Sequence, residues 1–191
     1  MVVPAFFTRY YQKGEYPFIS LNDLPFGEAN GVKQAHCKKN GIGLFYAQAD
    51  YLFHRKEIER WIYQELIRLG GKPVNDVPVY MTLGESPEGE FDIRADLQKN
   101  AEEIRIPIRE IDLSAVTFTY PDSMYEILLD ADGKEIGGGR TNTPKVYLYR
   151  DLPQVIQKYR IYENYRFNIE AQVWNREMLH KYWLKIKGEI Q

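Results

Sequence analysis

The chain has 191 residues, 44% of them apolar and 27% charged, which is ordinary globular composition and predicts a single domain over residues 1–191. A formal net charge of −2 disfavours nucleic-acid backbone as a partner, since that binding rests on excess Lys and Arg. The lone Cys37 excludes an intramolecular disulfide, no apolar run approaches the ~20 residues that span a bilayer, and the N-terminus lacks signal-peptide organisation; a cytoplasmic protein with no membrane partner is expected.

Residues 5–11 predict a first strand, rich in aromatics and broken over 14–17. Ser20-Leu21-Asn22-Asp23, with Pro25 just beyond, reads as a helix entrance. A helix over 25–39 follows, weakened by Gly27 and Gly31 and ended by Asn40-Gly41. A short strand is expected over 42–46. The strongest helix spans 50–69: Tyr51, Ile58, Trp61, Ile62, Leu66 and Leu69 recur at spacings of three, four and seven and form an apolar stripe. His54, Arg55, Lys56, Glu57, Glu59 and Arg60 fall on the rest of its surface, and Gly70-Gly71 supplies the stop.

A strand over 77–83 leads into a polar excursion over 85–100 with one helical turn. Strands over 104–108 and 116–120 come next, with Pro107 favouring an edge or a bulge. Segments 125–129 and 134–136 flank Asp130-Ala131-Asp132-Gly133, a hairpin turn signal, and 137–142 is a glycine-rich loop. A strand over 146–149 precedes a helix that Asp151 caps, with Pro153 in its first turn, running to 159. Residues 166–174 alternate with period two, and 183–190 alternate again. Helices concentrate early and strands late, so the class is α+β: a mixed, largely antiparallel sheet, possible as a split one, with two or three helices.

Segment 166–174 narrows the function furthest. Phe167, Ile169, Ala171 and Val173 point one way; Arg166, Asn168, Glu170, Gln172 and Trp174 point the other. The second face carries a carboxylate flanked by two amides, a guanidinium and an indole, fit either for a polar ligand or for an ordinary wet sheet face. No metal is expected: His36, His54 and His180 lack ligand spacing. Thr141 stands where a calcium loop opening at Asp130 needs its last Glu. Gly70-Gly71-Lys72 follows a helix where a phosphate loop precedes one, and no serine sits in a nucleophile elbow.

A constellation on strands remains. Arg9 lies within Phe6-Phe7-Thr8-Arg9-Tyr10-Tyr11, Thr117-Phe118-Thr119 puts two hydroxyls on one side of a second strand, and Asn168-Ile169-Glu170 puts an amide and a carboxylate on one side of a third. An arginine grips phosphate by forked, charge-assisted hydrogen bonds. Threonine hydroxyls brace backbone or carboxylate, and a glutamate bonds a ribose hydroxyl and stabilises an oxocarbenium-like transition state. Tyr120-Pro121-Asp122-Ser123 is a turn by composition, or a strand end that presents Asp122 and Ser123 to a cleft.

These three motifs, in this order, resemble ADP-ribosyltransferase-like proteins of the Arg-Ser-Glu class. The resemblance implies a split mixed sheet with NAD in the cleft, Arg9 on the NAD phosphate or ribose, Thr117 and Thr119 as structural hydroxyls, Glu170 as the catalytic carboxylate, and Asn168 where the family usually has Gln or Glu. Thr-Phe-Thr replaces a Ser-Thr-Ser type sequence, and the Asn-x-Glu motif bears on the choice of acceptor. The chain also resembles an uncharacterised bacterial family through Gly70-Gly71-Lys72-Pro73, Tyr80-Met81-Thr82-Leu83-Gly84 and Glu170-Ala171-Gln172-Val173-Trp174, a likeness that brings no activity.

Each residue also has a plain structural alternative. Arg9 can pair with a surface acid, Thr117 and Thr119 are common strand residues, and Glu170 can bond Arg166 or a cross-strand Lys. The rival function is a non-catalytic module that binds a protein partner through its 15 tyrosines and Trp174.

Overall fold

The computed structural model describes residues 2–40, 49–89, 92–97, 100–124, 145–163 and 165–190. Among the described residues six strands form one sheet: β1 (Phe6–Gln12), β2 (Val79–Leu83), β3 (Ala101–Pro107), β4 (Val116–Thr119), β5 (Val146–Tyr147) and β6 (Glu170–Val173). Their order is β3-β1-β2-β6-β4-β5, and every pairing is antiparallel. The helices are α1 (Phe26–Asn40), α2 (Tyr51–Arg68), α3 (Ile93–Leu97), α4 (Leu152–Tyr159) and α5 (Arg176–Lys187). The α+β class thus holds, with an antiparallel rather than mixed sheet, and five helices among the described residues where two or three were expected. The expected strand over 42–46, the hairpin over 125–136 and the loop over 137–142 lie outside the described residues.

Helix α5 corrects the reading of 183–190. The apparent alternation around Trp183 belongs to a helix whose inward residues are Met178, Leu179, Tyr182 and Trp183, a three-and-four spacing. Asn175 caps it by accepting from the Met178 N–H at 3.1 Å, and Gly188, at φ 73°, ends it in the left-handed conformation. Asp151 also acts differently: its carboxylate accepts from the Leu148 N–H at 2.9 Å, closing a 3-10 turn ahead of α4. Strand β6 is shorter than the 166–174 alternation, since only Glu170–Val173 pair with neighbours on both sides.

The sheet has two unlike faces. In register across the strands, Leu83, Phe7 and Ile106 form one apolar row, Met81, Ala171 and Phe118 a second, and Val79, Val173 and Val116 a third. Leu152, Val155 and Ile156 of α4 and Leu179 of α5 join them in the main core, each such side chain contributing roughly 1.5–3 kcal/mol by burial. The opposite face is polar and also buried. Thr8, Thr82, Glu170 and Thr119 form a row across four strands, and Tyr80, Gln172 and Thr117 form the next. Helix α2 covers the end of this face by packing Ile62 and Leu66 on Ala115 and Trp174, while Tyr51 and Leu52 at its other end meet Ala29 of α1.

The sheet forks. β1 pairs with β3 along its whole length, and β2 pairs with β6 from Val79 to Thr82. Yet β1 and β2 pair only at Phe7–Leu83 and Thr8–Thr82. Beyond those two positions they part. Among the described residues no helix is long and apolar enough to cross a membrane.

Candidate active site

The fork opens into a cavity of about 740 Å³ between the polar sheet face and helices α1 and α2. Arg9 and Tyr10 line it from β1, Tyr80 from β2 and Glu170 from β6. Tyr51 and Arg55 enter from α2, and Asp122 from just past the end of β4. Arg9 and Glu170, one near the start of the sequence and the other near its end, therefore share one pocket.

Arg9 is built into the fork. Its Nε donates to the Pro17 carbonyl at 2.8 Å, one terminal nitrogen to the Tyr80 carbonyl at 3.0 Å, and the other to the Ile19 carbonyl at 3.3 Å. The bond to Tyr80 crosses from β1 to β2 where the backbone ladder has stopped, so the guanidinium links the strands it separates. Its direct role here is as a brace.

Glu170 sits at the end of a buried hydrogen-bond chain. The Trp174 indole donates to Thr117 Oγ1 at 2.8 Å, and Thr117 donates to Gln172 Oε1 at 2.9 Å. Gln172 Nε2 donates to Thr119 Oγ1 at 3.0 Å and to Glu170 Oε2 at 2.8 Å. Thr119 Oγ1, at 3.3 Å, and the Ser123 N–H, at 3.0 Å, also donate to Oε2. Three donors from three segments fix one carboxyl oxygen. Asn168 lies apart from this set: it is buried, does not line the cavity, and its amide reaches Thr82 Oγ1 at 3.5 Å.

Asp122 is the second carboxyl, and its Oδ1 accepts from the Met124 N–H at 2.6 Å. The turn that carries it also supplies the Ser123 N–H to Glu170, which ties the two acids together. Burial pushes the Asp122 carboxyl up from its ordinary value, opposed by the Met124 bond and the Arg55 charge. Burial, and then the charge of Asp122, push Glu170 up from 4.5 to about 8. One of the two acids therefore keeps a proton near neutral pH. Tyr51 and Tyr80 are also raised, by burial first, and stay protonated donors.

Sequence spacing placed Arg55 and Glu59 on the solvent side of α2; Glu59 is buried and Arg55 is half-buried. Arg55 Nε donates to Glu59 Oε1 at 3.1 Å, its Nη1 donates to the Tyr51 hydroxyl at 2.9 Å, and its guanidinium lies 4.2 Å from the Tyr80 ring centre. Asn22 Nδ2 donates to the other Glu59 oxygen at 2.6 Å. The missed signal is the spacing Tyr51, Arg55, Glu59, Ile62, Leu66, which continues the apolar stripe through two charges able to pair with each other. Trp174 is also corrected as a contact residue: it is 0% exposed, packed against Tyr63 and bonded to Thr117.

No protein-family model, curated protein or solved structure matches the chain.

Proposed function

We propose that the cavity binds NAD and that the protein is an ADP-ribosyltransferase-like enzyme with Glu170 as its catalytic carboxylate. The observation that carries this reading is the meeting of Arg9 and Glu170 in one pocket at the fork of the sheet. Its volume, about 740 Å³, is within the roughly 300–1,000 Å³ of small-molecule sites. Arg9 holds the fork and contributes positive charge on the side where a pyrophosphate would run. Thr119, Gln172 and the Ser123 N–H hold one Glu170 oxygen in place and so orient the carboxyl group that faces the ribose.

The reaction breaks the bond between ribose C1′ and the nicotinamide nitrogen. The bonding pair leaves with neutral nicotinamide, and positive charge develops on the ribosyl ring. Ionised Glu170 stabilises that charge. A nucleophile then bonds to C1′ and gives its proton to Glu170. Catalysis needs Glu170 deprotonated, so the rate on free enzyme rises with pH through about 8.

Calorimetric titration with NAD, paired with an assay of nicotinamide release, tests the proposal. The expected result is binding at millimolar NAD or below, with release falling by about 100-fold or more in Glu170→Gln. Silence at millimolar NAD, or an undiminished variant, would overturn it. The rival partner-binding module loses Trp174 but retains Phe26 and Phe53, 57% and 60% exposed at the starts of α1 and α2.

A further inference from the structure

We infer that Asp122 and Glu170 together make this cavity selective for an organic monocation, with Asp122 setting the preference, and that entry of the cation expels the proton the two carboxyls hold. The inference rests on the nicotinamide-nucleotide reading for the identity of the cation, since the oxidised pyridinium ring carries that charge.

The charges around the pair support it. Arg55 is engaged by Glu59, the Tyr51 hydroxyl and the Tyr80 ring, and Glu59 by Arg55 and Asn22. Arg9 bonds the carbonyls of Pro17, Ile19 and Tyr80. Glu15, exposed on the cavity rim, adds negative charge. Arg55 pairs with Glu59, and Arg176 with Asp23. Two acids joined through one turn thus face the cavity, where the Arg55 charge acts on Asp122 while Arg9 is held at the fork.

The walls suit a flat cation. Tyr10 and Tyr51 line the space beside Tyr80, whose ring already carries Arg55, and aromatic faces attract positive charge. Ser20 also lines it: the residue is 4% exposed, and its hydroxyl has no hydrogen-bond partner among the described residues. The Tyr80 hydroxyl is buried in the same condition. Unsatisfied buried groups of this kind call for an explanation, and a polar ligand substituent supplies one. Burial and the Asp122 charge keep the proton on Glu170. A cation stabilises the ionised pair, so the proton leaves to solvent as the cation enters. A neutral ligand of the same shape leaves it in place.

The test compares N1-methylnicotinamide, a cation, with neutral nicotinamide by calorimetry on the whole protein, in buffers of different ionisation enthalpy. The cation should bind at least about tenfold more tightly, as expected for charge and cation–π attraction out of water. Near pH 7 it should release close to one proton, and release should fade above about pH 9 because Glu170 titrates near 8. Asp122→Asn should erase most of the preference. The wild-type pH dependence stands as evidence even if that variant misfolds. Equal affinity for the two ligands, or cation binding without proton release, overturns the inference. If NAD is consumed but the cation is not preferred, the subsite fails and the transferase reading survives. If the cation is preferred with proton release but NAD is neither bound nor consumed, the subsite stands and the transferase reading falls.

Discussion

Glu170→Gln should make the protein more resistant to unfolding at alkaline pH. A glutamine carbonyl can accept from the same three donors that hold Glu170 Oε2, namely Thr119, Ser123 N–H and Gln172, so the substitution preserves local geometry. What it removes is ionisation. The folded-state value of Glu170 is raised from 4.5 to about 8. Its favourable contribution is therefore fully present below 4.5 and is lost as pH rises through about 8, because the unfolded chain releases the proton first. Each pH unit in that window costs up to about 1.4 kcal/mol, a ceiling of about 5 kcal/mol across it. Water in the cavity and relaxation around the charge lower this, so a loss of about 2–4 kcal/mol is expected. Urea unfolding from about pH 5 to about pH 9 measures it. The wild type should lose stability steadily, and the variant should keep only the shallower slope that Asp122 imposes. Parallel curves for the two proteins would refute the reasoning, since Glu170 would then titrate alike folded and unfolded.

Thr117→Val tests the closed end of the same chain of bonds. It keeps the shape of a fully buried residue but strands the Trp174 N–H and Gln172 Oε1, so urea unfolding should show a loss of about 1–3 kcal/mol. Asn175→Ala removes the cap of α5 and should cost about 1 kcal/mol, with faster amide exchange at the start of Arg176–Lys187; unchanged exchange would count against the capping role.

Legibility in the sequence followed the range of the forces involved. Helix α2 announces itself by its apolar stripe, helices α1 and α4 by their entrances at Pro25 and at Asp151 with Pro153, and strands β1, β2 and β4 by composition between nearby breaks; these boundaries fall within two residues of expectation. Helix α5 did not, because a stretch with Trp183, Leu184 and Ile186 in close succession supports either period until its cap at Asn175 and stop at Gly188 are recognised together. The polar face of β6 was legible as alternation, but its burial was not. Burial requires α2 to lie over it, and that depends on Ile62 and Leu66 meeting Trp174 and Ala115 across the chain. For the same reason Arg55 read as a solvent residue: a charge at an inward helical position is distinguishable only once Glu59, Tyr51 and Tyr80 surround it. Asp122 was flagged as a strand-end residue, and the turn around it acquires its meaning from the Ser123 N–H that reaches Glu170.

The distribution of satisfied and unsatisfied groups along the polar face separates a structural network from a site. A buried polar layer is harder to stabilise than an apolar one, so a fold that needed only stability would fill it with Val and Leu. At the Trp174 end the layer is closed: indole, hydroxyl and amide each find a partner at 2.8 to 2.9 Å. Toward the fork, satisfaction fails. Among the described residues the buried hydroxyls of Ser20 and Tyr80 have no hydrogen-bond partner, and both residues line the cavity. There too two acids lie close enough to disturb each other's protonation. A network that existed for packing would close at both ends. One that is closed at the core and open at a cavity is what the proposed ligand site requires, with the protonated acid at its tip next to the open groups.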